Sequence, residues 1–351
     1  MQVEEKYMMR CFELAKSGRL SVAPNPMVGA VIVHKGFIIG EGFHRHYGGA
    51  HAEVNAIHAV RDETLLRDST LYVNLEPCVH TGKTPPCTAL ILQKQIPRVV
   101  VGCLDPYPEV AGKGVALLRN AGVEVVTNIM KREAMELNRF FMTAHIKRRP
   151  YIILKWAQSR DGYMDRIRND ASDKPVQLST SATRRHVHKL RSEVSAIMIG
   201  TNTALLDNPS LTVRHWTGKS PVRVFPDRTL RIPASYHLLD GTAPTLVFTE
   251  QATGRGNEGK RENGDNLQFT IQQNVEYIPI DFSAHVIPQI LDALYERKLY
   301  SLLVEGGACL HQSFLNEGLW DELYIETAPV ELGNGVKSPA HRNYINNYKK
   351  H

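Results

Sequence analysis

The stretch His51-Ala52-Glu53-Val54-Asn55-Ala56-Ile57 carries the strongest structural signal in the first half of the chain. Its apolar positions predict one inward face of a helix, and the helix begins with a histidine two residues before a glutamate. Pro77-Cys78 and Cys87 follow downstream. One imidazole and two thiolates can bind Zn²⁺ and leave a position open to water, whereas a structural zinc site normally has four protein ligands. The pattern therefore predicts a zinc site at which water is activated.

Glu53 is not needed as a ligand, and its position two residues after His51 suits a different task. Zinc lowers the pKa of a bound water from about 16 towards about 7, and the released proton then needs a carrier. The arrangement H-x-E followed by P-C is typical of enzymes that attack an amino-bearing ring carbon of a nitrogen heterocycle. We therefore predict His51, Cys78 and Cys87 as zinc ligands and Glu53 as the catalytic proton carrier.

Helix and strand patterns alternate along the chain, which places it in the α/β class. In residues 1–147 they predict a mixed, largely parallel sheet covered by helices. Arg148-Arg149-Pro150 ends a helix and a strand pattern restarts at Tyr151, so we predict a second domain over residues 148–351. The polar, Gly-rich stretch 252–266 is predicted to be a mobile surface loop. The main predicted strands are 27–33, 37–43, 70–75, 98–103, 123–127, 151–156, 196–199 and 302–304, and the longer predicted helices are 4–17, 113–120, 181–192 and 287–297.

Bulk properties limit the class of protein. At 351 residues the chain exceeds the size at which one core keeps growing, so two domains are expected. No apolar run is long enough to cross a membrane, and the acidic start lacks a signal core, so we predict a cytoplasmic location without a membrane partner. The five scattered cysteines indicate a reduced compartment. The net charge of +6 suits an anionic ligand.

Further motifs in the first half carry a resemblance to a known family. Eight residues separate Cys78 from Cys87, whereas most cytidine and tRNA-adenosine deaminases have two between their cysteines. With Pro24-Asn25-Pro26-Met27-Val28-Gly29 and Gly42-Phe43-His44, this spacing resembles the deaminase half of the bifunctional riboflavin-biosynthesis deaminase-reductases. The resemblance implies a cytidine-deaminase-like α/β/α domain. It also implies a diaminopyrimidinone substrate with a phosphoribosylamino group, contacted by Asn25, His44, His80 and Lys83.

The second half lacks a G-x-G-x-x-G motif after a strand, so a dinucleotide site has to be inferred from other features. Lys155 lies in a predicted strand, Asp207-Asn208-Pro209 precedes Leu211-Thr212-Val213-Arg214, and Glu305-Gly306-Gly307 joins a strand to a helix. The combination resembles the reductase half of the same family. It implies a dihydrofolate-reductase-like α/β domain that uses NADPH to reduce the ribosyl group to ribityl.

That resemblance also implies roles for individual residues. Lys155, Asp207 and Glu305 would lie at the reacting centre, and Arg191 and Arg214 would bind the substrate phosphate. Two departures from the family pattern stand out. Gln177-Leu178-Ser179 replaces a common Trp-Ile-Thr, and the tail after Gly335 is short and basic where another strand is expected, so the sheet is smaller or this terminus is poorly ordered. The implied NADPH contacts are Lys155, Ser179, Asp207, Gly306 and Gly307.

Two other functions compete with this interpretation. A nucleic-acid (tRNA) deaminase with an RNA-binding second domain is disfavoured by the cysteine spacing and by the lack of aromatics interleaved with a basic stripe. A non-catalytic protein with structural zinc would have no use for Glu53. We therefore expect a small-molecule enzyme with Zn²⁺ and NADPH as cofactors and no nucleic-acid partner. We expect it to form a homo-oligomer, either a dimer or a tetramer.

Overall fold

The structure is a computed structural model that describes residues 3–79, 85–107, 111–250, 259–260, 266–267, 274–340 and 348–350. The chain divides into two compact units, Met1–Arg148 and Arg149–His351. Among the described helices, none has the length and apolar character needed to cross a membrane.

The first unit begins with a helix and continues as a hairpin followed by alternating helices and strands. Its strands are β1 (Gly29–His34), β2 (Phe37–Phe43), β3 (Ser69–Leu75), β4 (Arg98–Cys103) and β5 (Glu124–Val126). Its helices are α1 (Val3–Lys16), α2 (Ala52–His58), α3 (Cys87–Gln93), α4 (Lys113–Asn120), α5 (Lys131–Leu137) and α6 (Arg139–Lys147), with a 3₁₀ turn at Glu63–Asp68.

The sheet of the first unit has the order β2-β1-β3-β4-β5. The pairs β1/β2 and β1/β3 are antiparallel, whereas β3/β4 and β4/β5 are parallel. The sheet is mixed as predicted, but the expectation that it is largely parallel is wrong. The β1/β2 pair is antiparallel because the two-residue turn Lys35-Gly36, where both residues have positive φ (48° and 84°), is too short to join parallel strands.

Helices cover both faces of this sheet, which gives three layers. On one face, α2 to α4 bury Ala56, Ile57, Ile91 and Leu118 against the strands. On the other face, α1, α5 and α6 pack in a second core. Strands β3 and β4 are almost continuously buried, as expected for strands covered on both faces.

Helix α2 lies unusually close to β2 because Gly42 has no side chain. A Cβ atom at Gly42 would come within 2.3 Å of the Ala56 nitrogen and 2.5 Å of the Ala52 carbonyl oxygen. Only glycine allows this approach. The contact fixes the start of α2, and therefore the position of His51, relative to the sheet.

The second unit is built around a larger sheet. Its strands are β6 (Tyr151–Gln158), β7 (Tyr163–Asp165), β8 (Ala196–Ile199), β9 (Val222–Pro226), β10 (Thr245–Thr249), β11 (Gly259–Lys260), β12 (Asn266–Leu267), β13 (Val275–Pro279), β14 (Ser301–Gly306), β15 (Glu322–Thr327), β16 (Val336–Lys337) and β17 (Tyr348–Lys350). Its helices are α7 (Ser181–Glu193), α8 (Thr201–Asp207), α9 (Val286–Glu296) and α10 (Ala308–Asn316), with a 3₁₀ turn at His237–Leu239.

Eight of these strands form a sheet in the order β13-β10-β9-β8-β14-β6-β15-β17, and every pairing in it is parallel. Alternate residues of β6, such as Ile152, Leu154 and Trp156, point to one face, where α9 and α10 pack on them. The tail supplies an edge strand, β17, so the expectation of a smaller sheet or a poorly ordered terminus is wrong for residues 348–350. The predicted loop 252–266 lies mostly outside the described residues, although β11 and β12 pair as antiparallel dipeptides.

A buried ion pair secures the beginning of β6 to the beginning of β15. Arg149 Nη1 lies 2.5 Å from Asp321 Oδ2, and the two side chains are only 12% and 7% exposed. Asp321 also accepts a hydrogen bond of 2.9 Å from the Ile152 backbone N–H. Replacing Asp321 with alanine is expected to destabilise the second unit by about 3 kcal/mol or more, because a buried guanidinium and an N–H group lose their partner.

Urea unfolding followed by tryptophan fluorescence measures this loss selectively, because Trp156, Trp216 and Trp320 all lie in the second unit. The matched control is Glu250→Gln, which removes a carboxylate paired with Arg228 at the surface. The side chains of Arg228 and Glu250 are 57% and 45% exposed. That change is expected to lower the free energy of unfolding by less than about 1 kcal/mol. Equal losses for the two variants would show that burial of the Arg149 pair has no special effect.

Candidate active sites

Three predicted ligands meet in the first unit. His51, Cys78 and Cys87 bring their ligand atoms within 4.8 Å of one another. His51 Nδ1 lies 3.2 Å from Cys87 Sγ and 3.5 Å from Cys78 Sγ. Such separations fit ligands of one tetrahedral ion, and a set of one imidazole and two thiolates is typical of catalytic zinc. The residues therefore fit Zn²⁺ with a position left for a further ligand.

Local structure places each of these side chains. His51 is the extended residue that precedes α2, and Cys87 is the first residue of α3, directly after Pro86. Thr88 holds the Cys78 carbonyl through its backbone N–H (3.2 Å) and its hydroxyl (3.1 Å). The Cys87 N–H also donates to Cys78 Sγ at 3.4 Å. The first turn of α3 therefore positions both cysteines.

The two cysteines of the cluster differ in charge: the hydrogen bond to Cys78 and burial raise the pKa of Cys87, whereas Cys78 is shifted towards the thiolate. A hydrogen bond from the Cys87 thiol lowers the pKa of Cys78 to about 4, although burial acts in the opposite direction. A thiolate at Cys78 is the form that binds a metal ion.

Glu53 lies beside the cluster and is only 3% exposed. Burial raises its pKa to about 7, while the charge of His51 acts in the opposite direction. A bound cation would also oppose the rise. The carboxyl group is thus placed next to the ligands in an environment where it can accept and release a proton.

Glu76, which sequence reasoning missed, anchors the segment that carries Cys78. Its buried carboxylate accepts hydrogen bonds from the backbone N–H groups of Asp105 (3.2 Å), Gly112 (2.9 Å) and Val115 (3.1 Å). These bonds join the end of β3 to the loop after β4 and to the start of α4. The only signal in the sequence is a carboxylate between an apolar strand and Pro77-Cys78.

The predicted substrate contacts of the first unit fall into two groups. Asn25 and His44 touch each other, with 3.1 Å between Asn25 Nδ2 and His44 Nε2. His44 is 3% exposed, and its ring packs edge-on against His51. His80 and Lys83 lie outside the described residues.

The second unit has a cavity of about 590 Å³ at the carboxyl ends of β8, β9 and β14. Among the predicted residues, Asp207, Glu305, Gly306 and Gly307 line it. Gly307 has φ +87° and directly precedes α10, a backbone conformation that favours glycine. A neighbouring cavity of about 220 Å³ is lined by Lys155, Ser179 and, again, Glu305. Glu305 therefore borders both cavities.

Charge is concentrated around Glu305. Its carboxylate receives two hydrogen bonds from Arg191, Nε at 2.8 Å and Nη2 at 2.6 Å. Burial by itself would raise the pKa of Glu305, but the charge and hydrogen bonds of Arg191 lower it. Lys155 is also partly buried, which lowers its pKa, while the charges of Glu305 and Glu326 oppose that shift. Glu326 in turn accepts a 2.6 Å hydrogen bond from the Ser179 hydroxyl.

The two arginines predicted to bind phosphate differ in their surroundings. Arg191 is occupied by Glu305, and its third hydrogen bond goes to the Thr212 carbonyl. Arg214 is exposed, with a 3.2 Å hydrogen bond to the Thr212 hydroxyl. Arg168, which sequence reasoning missed, pairs with both Asp165 and Asp207 and lines the larger cavity.

Comparison with known proteins identifies the family of this chain. Residues 150–347 match the family model of the RibD C-terminal domain, and residues 1–103 match that of the cytidine and deoxycytidylate deaminase zinc-binding region. The riboflavin biosynthesis protein RibD of Aquifex aeolicus is 39% identical over 95% of this chain and 89% of its own length. The chain belongs to the RibD family.

Solved RibD structures agree with this conclusion. A deaminase/reductase from Thermotoga maritima is 38% identical, has a TM-score of 0.81, and matches over 95% of this chain and 89% of its own. RibD from Acinetobacter baumannii is 35% identical, has a TM-score of 0.82, and matches over 96% and 89%. The predicted fold class is confirmed: a cytidine-deaminase-like domain is followed by a dihydrofolate-reductase-like domain. RibD relatives that match nearly the whole chain do not favour the alternative of a tRNA deaminase.

Proposed function

We propose that this RibD-family chain catalyses two successive steps of riboflavin biosynthesis on one phosphorylated pyrimidine. The first unit replaces the ring amine of 2,5-diamino-6-(5-phosphoribosylamino)pyrimidin-4(3H)-one with a carbonyl oxygen. The second unit uses NADPH to reduce the ribosyl group of that product to ribityl. The observation that carries the proposal is the cluster of His51, Cys78 and Cys87 beside the buried Glu53. The similar Thermotoga maritima protein is a diaminohydroxyphosphoribosylaminopyrimidine deaminase and 5-amino-6-(5-phosphoribosylamino)uracil reductase.

In the first unit, His51, Cys78 and Cys87 hold Zn²⁺, which when bound supplies activation of a water molecule. Glu53 takes a proton from water as the water oxygen bonds to the amino-bearing ring carbon, and it delivers that proton to the amine. The C–N bond then breaks and ammonia leaves, while the remaining hydroxyl proton passes to the adjacent ring nitrogen and leaves a carbonyl oxygen. Asn25 contacts the pyrimidine ring. His80 and Lys83 remain predicted contacts of the ring or of the phosphoribosyl arm.

In the second unit, NADPH supplies the hydride when bound. The cavity at Gly306 and Gly307 is its proposed site, because ligands of open parallel sheets bind at the carboxyl ends of the strands. We assign Lys155, Asp207 and Glu305 to the reacting centre and Ser179 to the wall of the cofactor site. Of the two arginines, Arg214 is the better candidate for phosphate binding because it is exposed. The guanidinium of Arg191 is hydrogen-bonded to Glu305 and orients that carboxylate.

The proposal extends to the roles of the two domains, the location of the protein and its assembly. Residues 1–147 act as the deaminase domain and residues 148–351 as the reductase domain, on small molecules and without nucleic acid. The location is cytoplasmic and the assembly is a homo-oligomer, a dimer or tetramer. The five cysteines, all within the described residues, form no disulfide bond, which supports a reducing compartment.

The full-length protein tests the proposal when it is supplied with the diaminopyrimidinone phosphate. Ammonia should be released at the same initial rate with and without NADPH, because the first step needs no reductant. NADPH oxidation should follow only after a lag that shortens as the enzyme concentration rises. NADPH oxidation without ammonia release, or ammonia release that depends on NADPH, would contradict the order of the two steps.

Removal of the metal should separate the two activities. Treatment with a zinc chelator is expected to lower ammonia release by about 10²-fold or more, because water is no longer activated. NADPH oxidation with substrate that is already deaminated should stay within about twofold of the untreated rate, since the second unit has no part in the cluster. Zinc content by atomic absorption and recovery on adding ZnCl₂ provide the control. A parallel loss of both activities would indicate general unfolding.

A further inference from the structure

Two buried asparagines fix the backbone of the loop that carries Asn25. Asn138 accepts from the Met27 N–H at 2.8 Å and donates to the Met27 carbonyl at 2.9 Å. Asn74 donates to the same carbonyl at 3.0 Å and accepts from the Gly29 N–H at 2.8 Å. Asn74 is fully buried and Asn138 is 3% exposed. The main chain near Asn25 is therefore firmly held, and the orientation of the Asn25 amide is the remaining degree of freedom.

His44 decides that orientation. Its Nδ1 lies 3.0 Å from the Ala50 carbonyl oxygen, which can only accept a hydrogen bond, so Nδ1 carries the ring proton. The other nitrogen, Nε2, is then an acceptor in the neutral ring, and it faces the Asn25 amide at 3.1 Å. Asn25 must therefore offer its NH₂ group to His44. Both ring nitrogens of His44 are used within the protein, so neither is left to contact a ligand directly.

The other end of the Asn25 amide is free to act on a ligand. Asn25 Oδ1 has no hydrogen-bond partner among the described residues. It is also accessible from outside, since it is absent from the buried atoms that lack a partner. We propose that His44 is a positioning residue that holds Asn25 with Oδ1 towards the substrate, so that the site selects a pyrimidine presenting an N–H or amino group there. The proposal rests on the deaminase function proposed above. With the amide reversed, the Asn25 NH₂ and the substrate N–H would be two donors facing each other.

Two variants of His44 separate this role from a general structural one. In His44→Asn the amide lies near the position of Nδ1, so the bond to Ala50 is retained and the acceptor for Asn25 is lost. In His44→Gln the side chain reaches the position of Nε2 and keeps an acceptor for Asn25. We expect His44→Asn to lower kcat/KM for ammonia release by about tenfold or more, mainly through KM, and His44→Gln to recover most of it.

A double-mutant cycle with Asn25→Ala completes the test. If His44 acts through Asn25, then His44→Asn should have almost no further effect on kcat/KM in the Asn25→Ala background. Zinc content and NADPH oxidation with deaminated substrate should match the parent protein in every variant. Additive losses, equal impairment of both His44 variants, or loss of zinc would overturn the proposal. An absence of ammonia release from the parent protein would instead contradict the deaminase function itself.

Discussion

Replacing Glu53 with glutamine is expected to lower the rate of ammonia release by about 10³-fold or more while zinc stays bound. The amide keeps the size of the side chain but cannot take a proton from water or deliver one to the amine. Glu53 is buried beside His51, so no bulk buffer group replaces it easily. Steady-state kinetics with the diaminopyrimidinone phosphate and a zinc assay on the same sample measure both quantities.

The control for this variant is Glu63→Gln, which changes an exposed carboxylate paired with Lys94 in the same unit. It should leave ammonia release within about twofold of the parent rate, as surface ion pairs contribute little. NADPH oxidation with deaminated substrate should be unchanged in both variants. If the Glu53 variant retained full turnover with zinc bound, the carboxylate would not be the proton carrier.

Replacing Lys155 with methionine is expected to lower NADPH oxidation by about 10²-fold or more without affecting ammonia release. Lys155 is a partly buried cation near Glu305 and Glu326, and it lines the cavity next to the proposed cofactor site. Methionine fills a similar volume, but it leaves these carboxylates without that positive charge. Loss of a charged group aimed at a reacting centre commonly has an effect of this size.

The matched control is Lys219→Met, which removes an exposed lysine of the same unit. It should change NADPH oxidation by less than about twofold. Tryptophan fluorescence reports whether the second unit stays folded, because all tryptophans of the chain lie there. Unchanged NADPH turnover in the folded Lys155 variant would remove this residue from the reacting centre.

Much of the local structure could be predicted because it depends on short-range patterns. The strands β1 to β4 and the helices α1, α2 and α4 follow hydrophobic periodicity and turn residues, and the observed bounds differ by two residues or fewer from those predicted for β1 and α1. Two features escaped these patterns. Helix α8 was not predicted, and the helix expected to end at Arg148 is divided into α5 and α6.

The break at Asn138 shows why such details escape sequence reasoning. Nothing in the neighbouring residues predicts it, because the side chain of Asn138 bonds to Met27, which lies 111 residues away. The contact between Arg191 and Glu305 likewise escaped prediction. The two residues lie 114 positions apart in the chain, and no local pattern relates them.

Four features of this protein could be predicted from the sequence: the His51, Cys78 and Cys87 cluster, the neighbouring carboxylate of Glu53, the family, and the alternation of helices and strands. These depend on residue type, on spacing along the chain and on periodicity, which can be read locally. Which groups are buried, and which hydrogen bonds they make, became known from the three-dimensional structure alone. The pairing of His44 with Asn25, the anchoring of Cys78 through Glu76 and the pairing of Arg191 with Glu305 all belong to that second class. They depend on packing between elements distant in the chain, where burial makes each unpaired polar group costly and so selects one arrangement.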